Sequence, residues 1–69
     1  DFTYDELAAL LAIFGFAADN KGKTSGSRVM FWNEELKYPI MIHKPHPGNI
    51  VKSYVIKQVY DALQSLELI

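Results

Sequence analysis

The sequence predicts an α+β fold in which two helices cover one face of a small antiparallel sheet. Three observations carry this: an apolar stripe of helical spacing at the start, strand-forming runs broken by turn residues in the middle, and a second helical stripe at the end. With no internal repeat or low-complexity tract, burying both stripes against one sheet face and leaving the other partly open is the simplest arrangement.

Thr3-Tyr4-Asp5-Glu6 has the form of a capping box, in which the Thr3 side chain and the Glu6 side chain each bind the other's backbone N–H. Phe2 and Leu7 are placed as a hydrophobic staple, so the spacing predicts a helix from Tyr4. Leu7, Leu10, Leu11 and Phe14 recur at offsets of three and four, and Gly15 stands just past the end of that stripe. Phe16 to Asp19 reads as a short strand, and the small, polar residues Asn20 to Ser27 as a loop. Arg28 to Trp32 and Lys37 to Ile42 are rich in strand formers, and Asn33 to Leu36 connects them as a hairpin. Alternation places Val29 and Phe31 on one face, expected inward, and Arg28, Met30 and Trp32 on the other. Pro39 cannot donate to a ladder, which favours an edge strand or a strand start. Ser53 is the expected N-cap of a closing helix, along which Val55, Ile56, Val59, Ala62, Leu63 and Leu66 form a continuous apolar face.

Sixty-nine residues make one domain, and a chain of this size buries only about 60% of the surface its unfolded form exposes. The absence of cysteine excludes disulfides, thiolate nucleophiles and cysteine-based zinc sites, and fits a reducing, cytoplasmic setting. The longest apolar run, Leu7 to Ala18, is too short to span a bilayer, and no basic segment precedes it as in a signal peptide. Opening on Asp1 rather than methionine, the chain reads as a trimmed or partial product. The net charge of -1 hides an uneven distribution: residues 20–57 hold all seven Lys and Arg but only Glu34 and Glu35 of the eight acids. A basic middle between acidic ends suits a polyanionic partner, and the bland alternative is charge decorating solvated loops.

His43-Lys44-Pro45-His46-Pro47-Gly48-Asn49 is the stretch that looks most like chemistry. In RNA cleavage one imidazole can remove the proton of a 2′-hydroxyl while the other protonates the leaving oxygen, which makes His43 and His46 the candidate catalytic pair. Arg28, Lys44 and Lys52 are the cations expected to bind the phosphate and stabilise its added charge, with Lys23 and Ser27 as further phosphate-binding candidates from the polar loop. Turn histidines without catalytic duty are the bland alternative. His-x-x-His also resembles a metal pair, but no cysteine or third histidine completes a zinc set, so no metal is expected. The loop lacks the spacing of a P-loop, and Ser25 and Ser27 have no accompanying pattern of a hydrolase nucleophile. Trp32, Phe31 and Tyr38 are candidates to stack on unpaired bases or to serve as core. Trp32 and Met30 on an open sheet face could equally meet a protein partner, and both surface uses expect an exposed Trp32.

Taken together, the order of elements, Gly26-Ser27-Arg28-Val29-Met30-Phe31, the His43 to Asn49 turn and the helix from Ser53 resemble the HicA family of toxins over nearly the whole chain. The resemblance implies a single HicA-like domain, residues 1–69, with helix, three-stranded antiparallel sheet and helix, similar in fold to double-stranded RNA-binding domains. It further implies a messenger RNA interferase, a small endoribonuclease of a type II toxin-antitoxin module, held inactive by a HicB-like antitoxin that covers the site. Its implied partners are RNA and that antitoxin, with no membrane and no metal or organic cofactor. One position departs from the family: where a histidine taken to be catalytic usually follows Gly-Ser, this chain has Arg28. Arginine stays protonated and cannot shuttle a proton, although it can clamp a phosphate. Two expectations follow, catalysis carried by His43 and His46, or a catalytically inactive RNA-binding or antitoxin-binding domain of the same fold.

Overall fold

The computed structural model describes residues 2–19 and 28–69, which form α1 (Tyr4–Ile13), β1 (Phe16–Asp19), β2 (Arg28–Asn33), β3 (Tyr38–His43) and α2 (Ser53–Ser65). The predicted α+β order of helix, three-stranded antiparallel sheet and helix is the observed one.

α1 starts where the capping box places it. The Glu6 N–H donates to Thr3 Oγ1 at 3.1 Å and the Thr3 N–H donates to Glu6 Oε1 at 2.9 Å. It stops at Phe14 because Gly15 turns the chain with φ +88°, a left-handed conformation open to glycine at little steric cost, while its N–H still reaches the Ala12 carbonyl at 3.0 Å.

The strands lie in the order β1-β2-β3, each neighbouring pair antiparallel, which puts Pro39 on an edge strand. β2 runs one residue beyond the expected strand, to Asn33, and β3 takes in His43, opposite Arg28. The register sets two faces. Phe16, Phe31, Ile40 and Ile42 are buried on one, with Val29 half-buried beside them, against Leu7 and Leu11 of α1 and Val55, Val59 and Leu63 of α2. Each such side chain contributes about 1.5–3 kcal/mol by leaving water, and this one layer is where both helical stripes find cover. Arg28, Met30, Trp32, Met41 and His43 lie on the side turned away from both helices.

Two expectations need correction. Ser53 is not the cap of α2 but its first helical residue; Lys52 holds the N-cap position, and its side chain makes no capping bond. The Val51 side chain is buried and its N–H is held by the Phe2 carbonyl at 2.7 Å, so the chain enters the helix immediately afterwards. The Lys52 carbonyl then accepts from Val55 and Ile56 at 3.0 and 3.2 Å. Asn33, read as the start of the connection, is instead the last residue of β2 and is buried, 3% exposed, on the inner face. Its Nδ2 donates to the Phe14 carbonyl at 2.9 Å and its Oδ1 accepts from the Leu36 N–H at 2.8 Å, tying the end of α1 to the β2–β3 turn.

α2 ends in a Schellman motif. Glu67 takes φ +61° and donates to the Gln64 carbonyl at 3.0 Å, and Leu68 donates to the Leu63 carbonyl at 2.9 Å. No helix among the described residues is long and apolar enough to cross a membrane.

Candidate functional site

The chain leaves β3 at His43 and turns through Lys44 to Asn49, with a cis peptide at His46-Pro47 and Gly48 at φ +84°. The far end of this turn is strapped to the start of the molecule. Tyr4 donates to the Asn49 carbonyl and Val51 to the Phe2 carbonyl, both at 2.7 Å, around a bridge between Thr3 and Ile50. The near end rests on the same residue: the Lys44 ammonium lies 5.2 Å from the centroid of the Tyr4 ring, which packs on Phe31 at 6.2 Å with the planes 51° apart. Burial, with a smaller push from the Asp5 carboxylate, raises the Tyr4 phenol above its ordinary value, and the electron-rich ring face attracts the cation above it. The histidine turn is thereby fastened to the core at both ends.

Between this turn and the first turn of α2 lies a cleft of about 370 Å³ lined by His43, Lys44, Pro45, His46, Lys52, Tyr54 and Val55. Four of the sequence-predicted site residues, His43, His46, Lys44 and Lys52, therefore line one cavity, each of them exposed. Among the described residues no carboxylate lines it, so Lys44 and Lys52 have no counter-charge from those residues in its wall. Arg28 joins from the sheet: it is the register partner of His43, and directly opposed residues of an antiparallel pair have their Cβ atoms about 4.5–5.5 Å apart. Lys23 and Ser27 lie outside the described residues. Among the described residues no group of three or more metal-ligating side chains assembles.

The aromatic candidates divide. Phe31 is core, 1% exposed, and has no free face for a base. Trp32 is half-buried rather than exposed, flanked in register by Ala17 and Pro39, and its Nε1–H donates to Glu34 at 3.0 Å. Tyr38 is partly exposed at the far end of β3 from His43. The aromatic ring that does line the cleft is Tyr54, which sequence reasoning passed over. Its signal was its place one residue after Ser53 in a helix whose buried positions start at Val55, which turns it off the core stripe and toward the basic turn.

The arrangement offers two imidazoles able to give and take protons, and fixed positive charge beside them. A ligand with dispersed negative charge and a labile proton fits it. No family model, curated protein or solved structure matches this chain.

Proposed function

We propose that this chain is an RNA-directed domain similar to HicA toxins, an endoribonuclease whose proton transfers are carried by His43 and His46. The observation that carries the reading is that His43, His46, Lys44 and Lys52 all line one cleft, with Arg28 in register beside His43. In the step proposed, one neutral imidazole takes the proton of a ribose 2′-hydroxyl and that oxygen attacks the adjacent phosphorus. The bond to the leaving oxygen breaks, and the second, protonated imidazole gives that oxygen its proton. The products are a cyclic phosphate at the end of one fragment of the strand and a free hydroxyl at the start of the other. Lys44, Lys52 and Arg28 hold the phosphate and offset the charge that gathers on its oxygens.

Under this reading Arg28 is electrostatic support, and the histidine turn supplies the chemistry that the family places one strand away. Messenger RNA as substrate, a HicB-like antitoxin as partner and a cytoplasmic location belong to the same proposal.

The experiment incubates structured and unstructured RNA with the folded protein and with its His43→Gln, His46→Gln and Arg28→Ala variants, a chelator present. Loss of cleavage in either histidine variant with residual cleavage in Arg28→Ala supports the proposal. RNA left intact by the wild-type protein overturns the catalytic reading. Salt-sensitive RNA retention that survives both histidine replacements would instead identify a binding domain of the same fold.

A further inference from the structure

We infer that Tyr54 is a nucleobase platform and that the cleft takes unpaired rather than duplex RNA. The inference rests on the RNA reading above and adds to it the class of substrate. Tyr54 lines the cleft together with His43, His46, Lys44 and Lys52, and the residue is 59% exposed. Among the described residues no hydrogen bond, ion pair or ring contact engages its side chain. Tyr38 lies at the far end of β3 from His43, and the two remaining tyrosines are placed differently again. The Tyr4 ring already packs on Phe31 and carries Lys44 over it, and Tyr60, 54% exposed, lines an apolar groove between the helices, away from the cations.

The backbone beneath Tyr54 is fixed, because it lies in the first turn of α2 and its neighbour Val55 is buried in the core. A ring on a rigid helix, with only two torsions to restrain, makes a low-entropy contact surface. Cations that hold a phosphate beside an aromatic face that stacks on the neighbouring base are the two components of sequence-tolerant single-strand recognition. In a duplex both faces of each base are covered by stacked neighbours, so the ring gains a partner only where the strand is unpaired. The 2′-hydroxyl that His43 or His46 must deprotonate is likewise free to line up for attack only in a strand that can leave helical geometry.

The test measures binding by fluorescence anisotropy for the wild-type protein, Tyr54→Ala and Tyr54→Phe. The probes are a labelled 2′-O-methyl oligoadenylate, which cannot be cleaved through its own 2′-oxygen, the duplex of that strand with its complement, and inorganic polyphosphate. The wild-type protein should prefer the single strand to the duplex. Tyr54→Ala should weaken single-strand binding about 5- to 150-fold, the range expected for loss of one base-aromatic stack. Tyr54→Phe should retain it, and polyphosphate binding should be the same for all three proteins, because the cations stay in place. Unchanged single-strand binding in Tyr54→Ala, or a wild-type preference for the duplex, overturns the inference and leaves the RNA reading standing. Absence of salt-sensitive binding to either form of RNA overturns the RNA reading, and the inference with it.

Discussion

Replacing Asn33 by leucine keeps the branched shape of the side chain, in a somewhat larger volume, and removes its chemistry. Two hydrogen bonds disappear, Nδ2 to the Phe14 carbonyl at 2.9 Å and the Leu36 N–H to Oδ1 at 2.8 Å, and both are partly shielded from water. Each such bond is worth about 0.5–1.5 kcal/mol net, and an orphaned backbone group costs about 1–3 kcal/mol where water cannot replace the partner. The added apolar area offsets part of this, since a leucine at a 3% exposed position gains about 1.5–3 kcal/mol by burial. The larger leucine would also have to fit against Gly15, whose backbone lies so near Asn33 that a Cβ added to the glycine would stand 3.0 Å from Nδ2. The balance is a loss of about 2 kcal/mol, and in a domain of this size that lowers the thermal midpoint by about 8–16 °C. Circular dichroism melts of the two proteins at one pH measure it. A midpoint within about 4 °C of wild type would refute the claim that Asn33 fastens α1 to the β2–β3 turn.

Two further changes test the local geometry. Glu67→Gly should stabilise the domain by about 0.5–1 kcal/mol, because Glu67 occupies the left-handed position of a Schellman motif at φ +61°, where glycine avoids the Cβ clash; urea midpoints report the gain. The bond from the Thr3 N–H, then the Thr3 side chain, holds the Glu6 carboxyl below the ordinary carboxylate range. A carboxyl lowered in the folded state contributes stability that is fully present above its unfolded value and is lost as pH falls through its folded value. A pH series of urea midpoints should show that acid loss, and Glu6→Gln should remove its share while lowering stability near neutrality.

What the sequence revealed was what depends on near neighbours. The Thr3-Glu6 box, the stop at Gly15 and the period-two rows of β2 are decided within a few residues, and each was readable there. Asn33 was not readable, because its burial follows from the β1–β2 register opposite Phe16 and its partner carbonyl belongs to Phe14, at the end of a helix two elements earlier. A serine ahead of an apolar helix signals a cap, but the hold of Phe2 on Val51 moved the helix start by one residue. The candidate site divides in the same way. Sequence proximity and charge put His43, Lys44 and His46 together and named Lys52 and Arg28 as further cations; the structure brings Lys52, at the head of α2, into the same cleft and sets Arg28 opposite His43. Tyr54 went unread because its importance lies in facing that turn across space, which its own neighbours in sequence do not encode.

The central claim is that His43 and His46 divide the roles of base and acid. The pH dependence of RNA cleavage, measured under single-turnover conditions with the wild-type protein and each histidine-to-glutamine variant, tests it most directly. One imidazole must be neutral and the other protonated, so the account predicts a bell-shaped profile for the wild type and the collapse of activity in both variants. RNA left uncleaved across the range, or cleavage whose profile neither variant alters, would contradict it.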